Sequence, residues 1–197
     1  VLDYRRPTIE IGVEKQPDMF IWWVYNDKGN IHNETQGQPI GIEIQTTGFA
    51  FATNDEVNNM TFYSSKIINR GFTTLNDCYM GQWVDADLGN YADDYVGCDV
   101  GRSLGFCYNG DDDDEGINGY GTNPPSVGVD FFEGPFYDAN DGVYNDRDGT
   151  IDEVLPFGCD PDPVTERIIM AKFLYFNNDG TVIGNPTTAE HAYNYMI

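Results

Sequence analysis

Apolar residues in the first half of the chain come in short runs of strand length, broken by turn residues. "FIWWVY" (Phe20 to Tyr25) is an apolar run that stops at the turn "NDKGN". "IGIEIQ" (Ile40 to Gln45) alternates, sending Ile40, Ile42 and Ile44 to one face, the period of a strand. "GFAFAT" and "MTFYSSKIIN" read as further strands, separated by the polar loop "NDEVNN". "CYMGQWV" (Cys78 to Val84) predicts one more strand, leading directly into an acidic loop. Trp22 and Trp23 are adjacent, so on a strand they face opposite sides, and at least one is expected in the core. Residues 1–84 are therefore strand-rich.

The pattern changes at Asp85. From there to about Pro163, Gly, Asn, Asp and Pro dominate, with an aromatic every few residues. A loop region this long needs some means of ordering other than a ladder. Regular structure is expected again at "RIIMAKFLYF" (Arg167 to Phe176), read as a strand because Phe, Tyr and Ile crowd it and "NNDG" ends it. Pro186-Thr187-Thr188-Ala189-Glu190 resembles a capping box and predicts a short C-terminal helix. The expected fold is mostly β: one sandwich-like module over 1–197, immunoglobulin-like or jelly-roll. It divides into a strand-rich 1–84, an acidic loop-rich 85–163, and strand and helix over 164–197. The chain opens on Val1-Leu2-Asp3-Tyr4 without an initiator Met, so it is expected to be a fragment of a longer chain.

Composition sharpens this picture. Apolar residues make up 40%, with 13 Tyr, 12 Phe and 3 Trp, too much for a disordered acidic tail. The net charge is −23, and it is unevenly placed. Between Asp77 and Glu166 lie 22 acids against two bases, Arg102 and Arg147, so that segment alone carries −20. Phosphate binding needs Lys and Arg to displace counterions, so nucleic acid is not an expected partner. No run of 18 apolar residues occurs, hence no membrane-spanning helix is expected.

Two acidic stretches have the makings of metal loops. "DANDGVYNDRDGTIDE" offers oxygen side chains at Asp138, Asn140, Asp141, Asn145, Asp146, Asp148, Asp152 and Glu153, with Gly142 and Gly149 to turn the chain. Calcium takes six to eight hard oxygens from such loops. A regular EF-hand is excluded, because Gly149 at the sixth position puts Tyr144 at the first. An irregular or thrombospondin-type calcium loop remains. "DADLGNYADDYVGCD" (85–99) is the second, with Asp85, Asp87, Asp93, Asp94 and Asp99 beside Gly89 and Gly97. Carboxylates ~6 Å apart repel by roughly 0.7 kcal/mol even in water, and a divalent ion reverses the sign. The "DDDDEG" run at Asp111 to Gly116 is expected to be a solvated loop, because consecutive charges cannot all face one ion.

Four cysteines, Cys78, Cys98, Cys107 and Cys159, contain no C-x-x-C, and His32 and His191 lie far from them in sequence, so zinc is a poor reading. Disulfides are expected, with free buried thiols as the alternative; Cys98 with Cys107, which leaves Cys78 with Cys159, is the favoured one of three pairings that composition leaves open, and bridges would imply an oxidising compartment. No G-x-S-x-G, H-E-x-x-H, phosphate-binding Gly-Lys loop or dinucleotide fingerprint is present, so no catalytic centre is expected.

Taken together, "WWVYNDKGNIHNETQGQPIGIEIQ", "NNMTFYSSKIINRG", "GQWVDADLGNYADDYVGCDVGRSLGFCYNGD", "YGTNPPSVGVDFFEGP" and "NDGVYNDRDGTIDE" resemble a region of large secreted Bacteroidetes proteins that carry a C-terminal type IX secretion sorting domain. The resemblance implies placement outside the cell, secreted or on the cell surface, and names no biochemical activity. The function expected is a calcium-stabilised structural or adhesive module that meets another extracellular protein. The alternative is a glycan-binding module or part of a carbohydrate-active enzyme.

Overall fold

The computed structural model describes residues 9–10, 14–29, 31–135, 170–176 and 184–197. Their regular structure is mostly β: ten strands, all paired antiparallel, and one short C-terminal helix. The chain gathers into two compact units, Val1–Tyr79 with Pro186–Asn194, and Met80–Asn185 with Tyr195–Ile197. Among the described residues no helix is long and apolar enough to cross a membrane.

In the first unit β1 (Ile9–Glu10) and β2 (Glu14–Lys15) make a minimal hairpin. Next, β3 (Met19–Asn26), β4 (Ile42–Ala50) and β5 (Thr61–Asn69) form a three-stranded meander in that order. The alternating "IGIEIQ" and the start of "GFAFAT" are one strand, not two. Gly48 does not break β4, because its missing Cβ leaves room for two rings. A Cβ there lies 3.2 Å from the Trp23 ring and 3.4 Å from that of Tyr63, and those rings meet edge-on at 6.4 Å. Phe51, just past β4, is 2% exposed and sits edge-on to both Phe49 and Phe62, each at 5.9 Å. Trp22 and Trp23 are 42% and 37% exposed, so neither is the core residue expected. Both ride on β3, an edge strand exposed along its whole length.

The β3–β4 connection is held by Asp27. Its carboxylate accepts the N–H groups of Ile40 (2.5 Å), Gly41 (3.0 Å) and Ile42 (3.0 Å), which aligns the entry to β4. His32 staples the same loop, its ring nitrogens each 2.7 Å from a carbonyl oxygen, of Gly37 and of Asp27. One of the two histidines thus has a structural role. Partial burial pushes the Asp27 carboxyl up, but the three N–H donors outweigh it and its pKa lies below the usual 3.8. A lowered carboxyl pKa means stability that is present above the unfolded value and lost as pH falls through the folded one. Asp27→Asn is therefore expected to cost about 1 kcal/mol at pH 7. Melting curves should show the gap to the parent closing below the usual carboxylate range; a gap constant down to strongly acid pH contradicts this role.

The second unit holds β6 (Asp94–Asp99), β7 (Leu104–Asn109), β8 (Asp113–Asp114), β9 (Gly121–Thr122) and β10 (Ser126–Asp130). A sheet of order β10-β7-β6 stands beside the small β8–β9 hairpin. The expectation that regular structure vanishes after Asp85 is thus corrected for the described residues. Gly, Asp and Asn have low strand propensity, yet cross-strand pairing decides. Conversely, neither Cys78–Val84 nor Met170–Phe176 forms a strand. Their rings pack on one another instead of joining a ladder: Trp83 meets Phe176 tilted at 4.9 Å, and Phe176 stacks on Tyr195 at 5.8 Å. The expected C-terminal helix is α1 (Ala189–Met196). Its cap is Thr188, whose Oγ1 accepts the His191 N–H at 3.0 Å, one residue beyond the Thr187 of the capping-box reading.

Candidate functional site

β6 begins where a short turn over Tyr91–Asp93 ends, and the turn is capped by the Asn90 side chain, which accepts the Ala92 N–H. The turn delivers Asp93 and Asp94 in succession to the head of the strand. The Gly110 N–H bonds the Asp93 carbonyl at 3.0 Å and pins the partner strand there. In the β6–β7 register Asp94 is opposite Asn109, so both side chains leave one face of the sheet at directly facing positions.

Asn109 is 7% exposed. Its Nδ2 donates to the Asp111 carbonyl at 3.1 Å, which fixes the amide orientation and leaves Oδ1 buried without a donor. Both carboxylate oxygens of Asp94 and Oδ1 of Asp93 are buried and undonated too. These four are the buried side-chain acceptors among the described residues that no donor reaches in good geometry. Buried polar atoms are normally satisfied, so such a group calls for a cause.

Asp114 forms the adjoining wall. It is 2% exposed, its Oδ1 accepting the Asn90 N–H at 3.1 Å and its Oδ2 the Tyr120 N–H at 2.8 Å. Gly89, at φ +64°, lies against that carboxylate: a Cβ there falls 1.9 Å from Asp114 Oδ2. No Lys or Arg among the described residues pairs with Asp93, Asp94 or Asp114; the ion pairs Arg70–Glu43 (2.9 Å) and Arg102–Asp99 (3.5 Å) lie elsewhere.

The electrostatic consequence falls on Asp94. Burial first, then the charges of Asp114 and Asp93, push its carboxyl above the usual range. The Leu88 N–H and the Cys107 thiol face it and pull the other way, without closing a hydrogen bond of good geometry. With nothing bound, an ionised Asp94 opposes folding, and stability rises as pH falls through its raised pKa. Burial, then Asp94, likewise push the Cys107 thiol up, so it stays protonated at neutral pH.

The structure divides the acidic stretch 85–99. Asp93 and Asp94 are half-buried and adjacent, whereas Asp85 and Asp87 are exposed. Asp99 is at the far end of β6, five residues from Asp94, ~16 Å along a strand, and pairs with Arg102. One ion cannot take both. Asp138, Asn140, Asp141, Asn145, Asp146, Asp148, Asp152 and Glu153 lie outside the described residues. The solvated reading of the "DDDD" run holds for Asp111, Asp112 and Asp113, which are exposed, and is corrected for Asp114. Asn109 was missed. The signal for it is the small and polar set Gly105, Cys107 and Asn109 on one face of β7.

The expected Cys98–Cys107 bridge is not formed: Cys78, Cys98 and Cys107 are free thiols, and Cys159 lies outside the described residues. The register explains it. Cys98 is opposite Gly105 and Cys107 opposite Val96, so the two are diagonal rather than facing, one exposed and one buried.

Beyond the acids, Tyr95, Phe106 and Tyr108 share the other face of β6 and β7. Tyr95 stacks on Tyr108 at 6.1 Å and Phe106 meets Tyr108 at 5.9 Å. Tyr95 and Tyr108 are 59% and 43% exposed. Among the described residues no three His, Cys, Asp or Glu side chains converge to hold a metal ion by themselves. Any cation at the head of β6 therefore needs the Asn109 amide or backbone carbonyls among its ligands. Comparison with known protein families, with characterised proteins and with solved structures finds no match to this chain.

Proposed function

We propose that the chain is a sandwich-like structural or adhesive module of a secreted or cell-surface protein, with its acidic segment ordered by calcium. The observation that carries this reading is at the head of β6, where Asp93, Asp94 and Asn109 bury four oxygen acceptors that no donor reaches in good geometry. The charge of −20 over residues 77–166 adds a reason for a bound cation. The resemblance to secreted Bacteroidetes proteins supports the compartment. Exposed apolar residues along β3, such as Ile21 at 50% and Tyr25 at 50%, suit a module that meets a neighbouring protein.

Extracellular modules hold calcium at Kd ~10⁻⁴–10⁻³ M, which millimolar calcium fills. Binding to the folded state alone stabilises by roughly 0.5–1.5 kcal/mol per site. Excess chelator is expected to lower the melting temperature by roughly 2–8 °C and to speed proteolysis within 77–135, with calcium reversing both. Unchanged melting and proteolysis at low ionic strength overturn the calcium reading.

A second reading, a glycan-binding module, is favoured by the row of Tyr95, Phe106 and Tyr108, of which both tyrosines are exposed, since aromatic faces stack on sugar rings. It predicts retention on a glycan array that Tyr108→Ala abolishes without changing the calcium response.

A further inference from the structure

Two acceptors held face to face across a ladder, with no donor in good hydrogen-bonding geometry, are drawn together by a positive centre between them. That centre is a metal ion or a proton. Asp94 and Asn109 are such a pair, and the Asn109 amide has no freedom to turn its N–H₂ inward without losing the Asp111 carbonyl. Asp93 adds a third buried oxygen from the preceding residue. We propose that Asp93, Asp94 and Asn109 ligate one hard divalent cation, calcium, on the face of the sheet where β6 starts and β7 ends. The site rests on the calcium reading above and places one ion at a definite point.

The donor set selects the ion. Two carboxylates and an amide are hard oxygens, and calcium accepts amide and backbone carbonyl ligands to complete its shell. Asp114 supplies charge without ligating, because no three acidic, His or Cys side chains converge among the described residues and its oxygens already hold the Asn90 and Tyr120 N–H groups. The turn at Asn90 and the Gly110–Asp93 bond hold the ligands in place before the ion arrives.

The test uses the full chain freed of metal, with terbium as a calcium mimic and tyrosine-sensitised terbium emission as the readout. Parent protein should light up, and calcium should quench the signal by displacement. Asp94→Asn and Asn109→Leu should each weaken terbium and calcium binding about tenfold or more. Asn109→Asp, which adds charge to the same shell, should bind at least as tightly as the parent and be less stable than it only in chelator. If Asp94→Asn and Asn109→Leu leave emission and the calcium-dependent melting shift intact, calcium binds elsewhere. This site then falls while the calcium module stands. If the parent responds to neither ion, and Asp94→Asn raises its melting temperature at pH 7, a shared proton fills the gap, and both site and module reading fall.

Discussion

Gly89→Ala should all but abolish folding of the second unit. Its backbone is at φ +64°, a conformation that costs a side chain ~1–2 kcal/mol. Strain is the smaller part. The new Cβ lies 1.9 Å from Asp114 Oδ2 and 2.8 Å from the exposed Tyr120 ring, and the carboxylate cannot move cheaply. Asp114 is fixed by two N–H bonds and is 2% exposed. Displacing it leaves those donors unmet, at ~1–3 kcal/mol each. The sum is about 4 kcal/mol or more, a large part of a typical ~5–15 kcal/mol total. Gly121→Ala is the control, since Gly121 has φ +75° but nothing within 4 Å of its Cβ. It should cost only the strain, ~1 kcal/mol. Urea melts followed by near-ultraviolet dichroism of the tyrosines separate the two. Equal midpoints for both variants mean that Asp114 is not seated against Gly89.

Phe51→Ala should be the most damaging single change in the first unit, at about 3–5 kcal/mol. Phe51 completes a cluster in which Phe49 and Phe62 stack at 5.3 Å and it caps both edge-on at 5.9 Å. Truncation opens a cavity that the ladder pairing of β4 with β5 prevents from collapsing, because Phe49 and Phe62 are register partners. Phe51→Leu should recover most of the loss. Phe72→Ala, at a fully exposed ring, should change stability by no more than ~0.5 kcal/mol. Thermal melts of the three variants decide it. A Phe51→Ala protein that melts with Phe72→Ala places the core elsewhere.

Much of the first unit is legible along the chain because its signals are local. The apolar run at Phe20–Tyr25 has the length of a strand and the alternation at Ile40–Ile44 has its period of two, and β3 and β4 follow. The cap before α1 is local as well, since Thr188 reaches only to His191. The stretch "DYVGCD" in β6 carries no such signal. Its Gly and Asp residues argue for a loop, and only the ladder with "LGFCYN" makes it a strand.

The site shows the same division in sharper form. The excess of acid between Asp77 and Glu166, and hence the demand for a counter-charge, is a property of composition alone. Which carboxylates share that demand is not. Asp85, Asp87, Asp93, Asp94 and Asp99 are near neighbours in sequence, yet the length of β6 separates Asp94 from Asp99, and exposure sets Asp85 and Asp87 apart. Asn109 and Asp114 come from fifteen and twenty residues beyond Asp94, brought in by the β7 register and by the N–H groups of Asn90 and Tyr120. Charge is additive along a chain and can be read by counting. Burial and facing geometry depend on strand pairing, a relation between distant residues that no local pattern encodes, and pairing alone set Asp94 against Asn109.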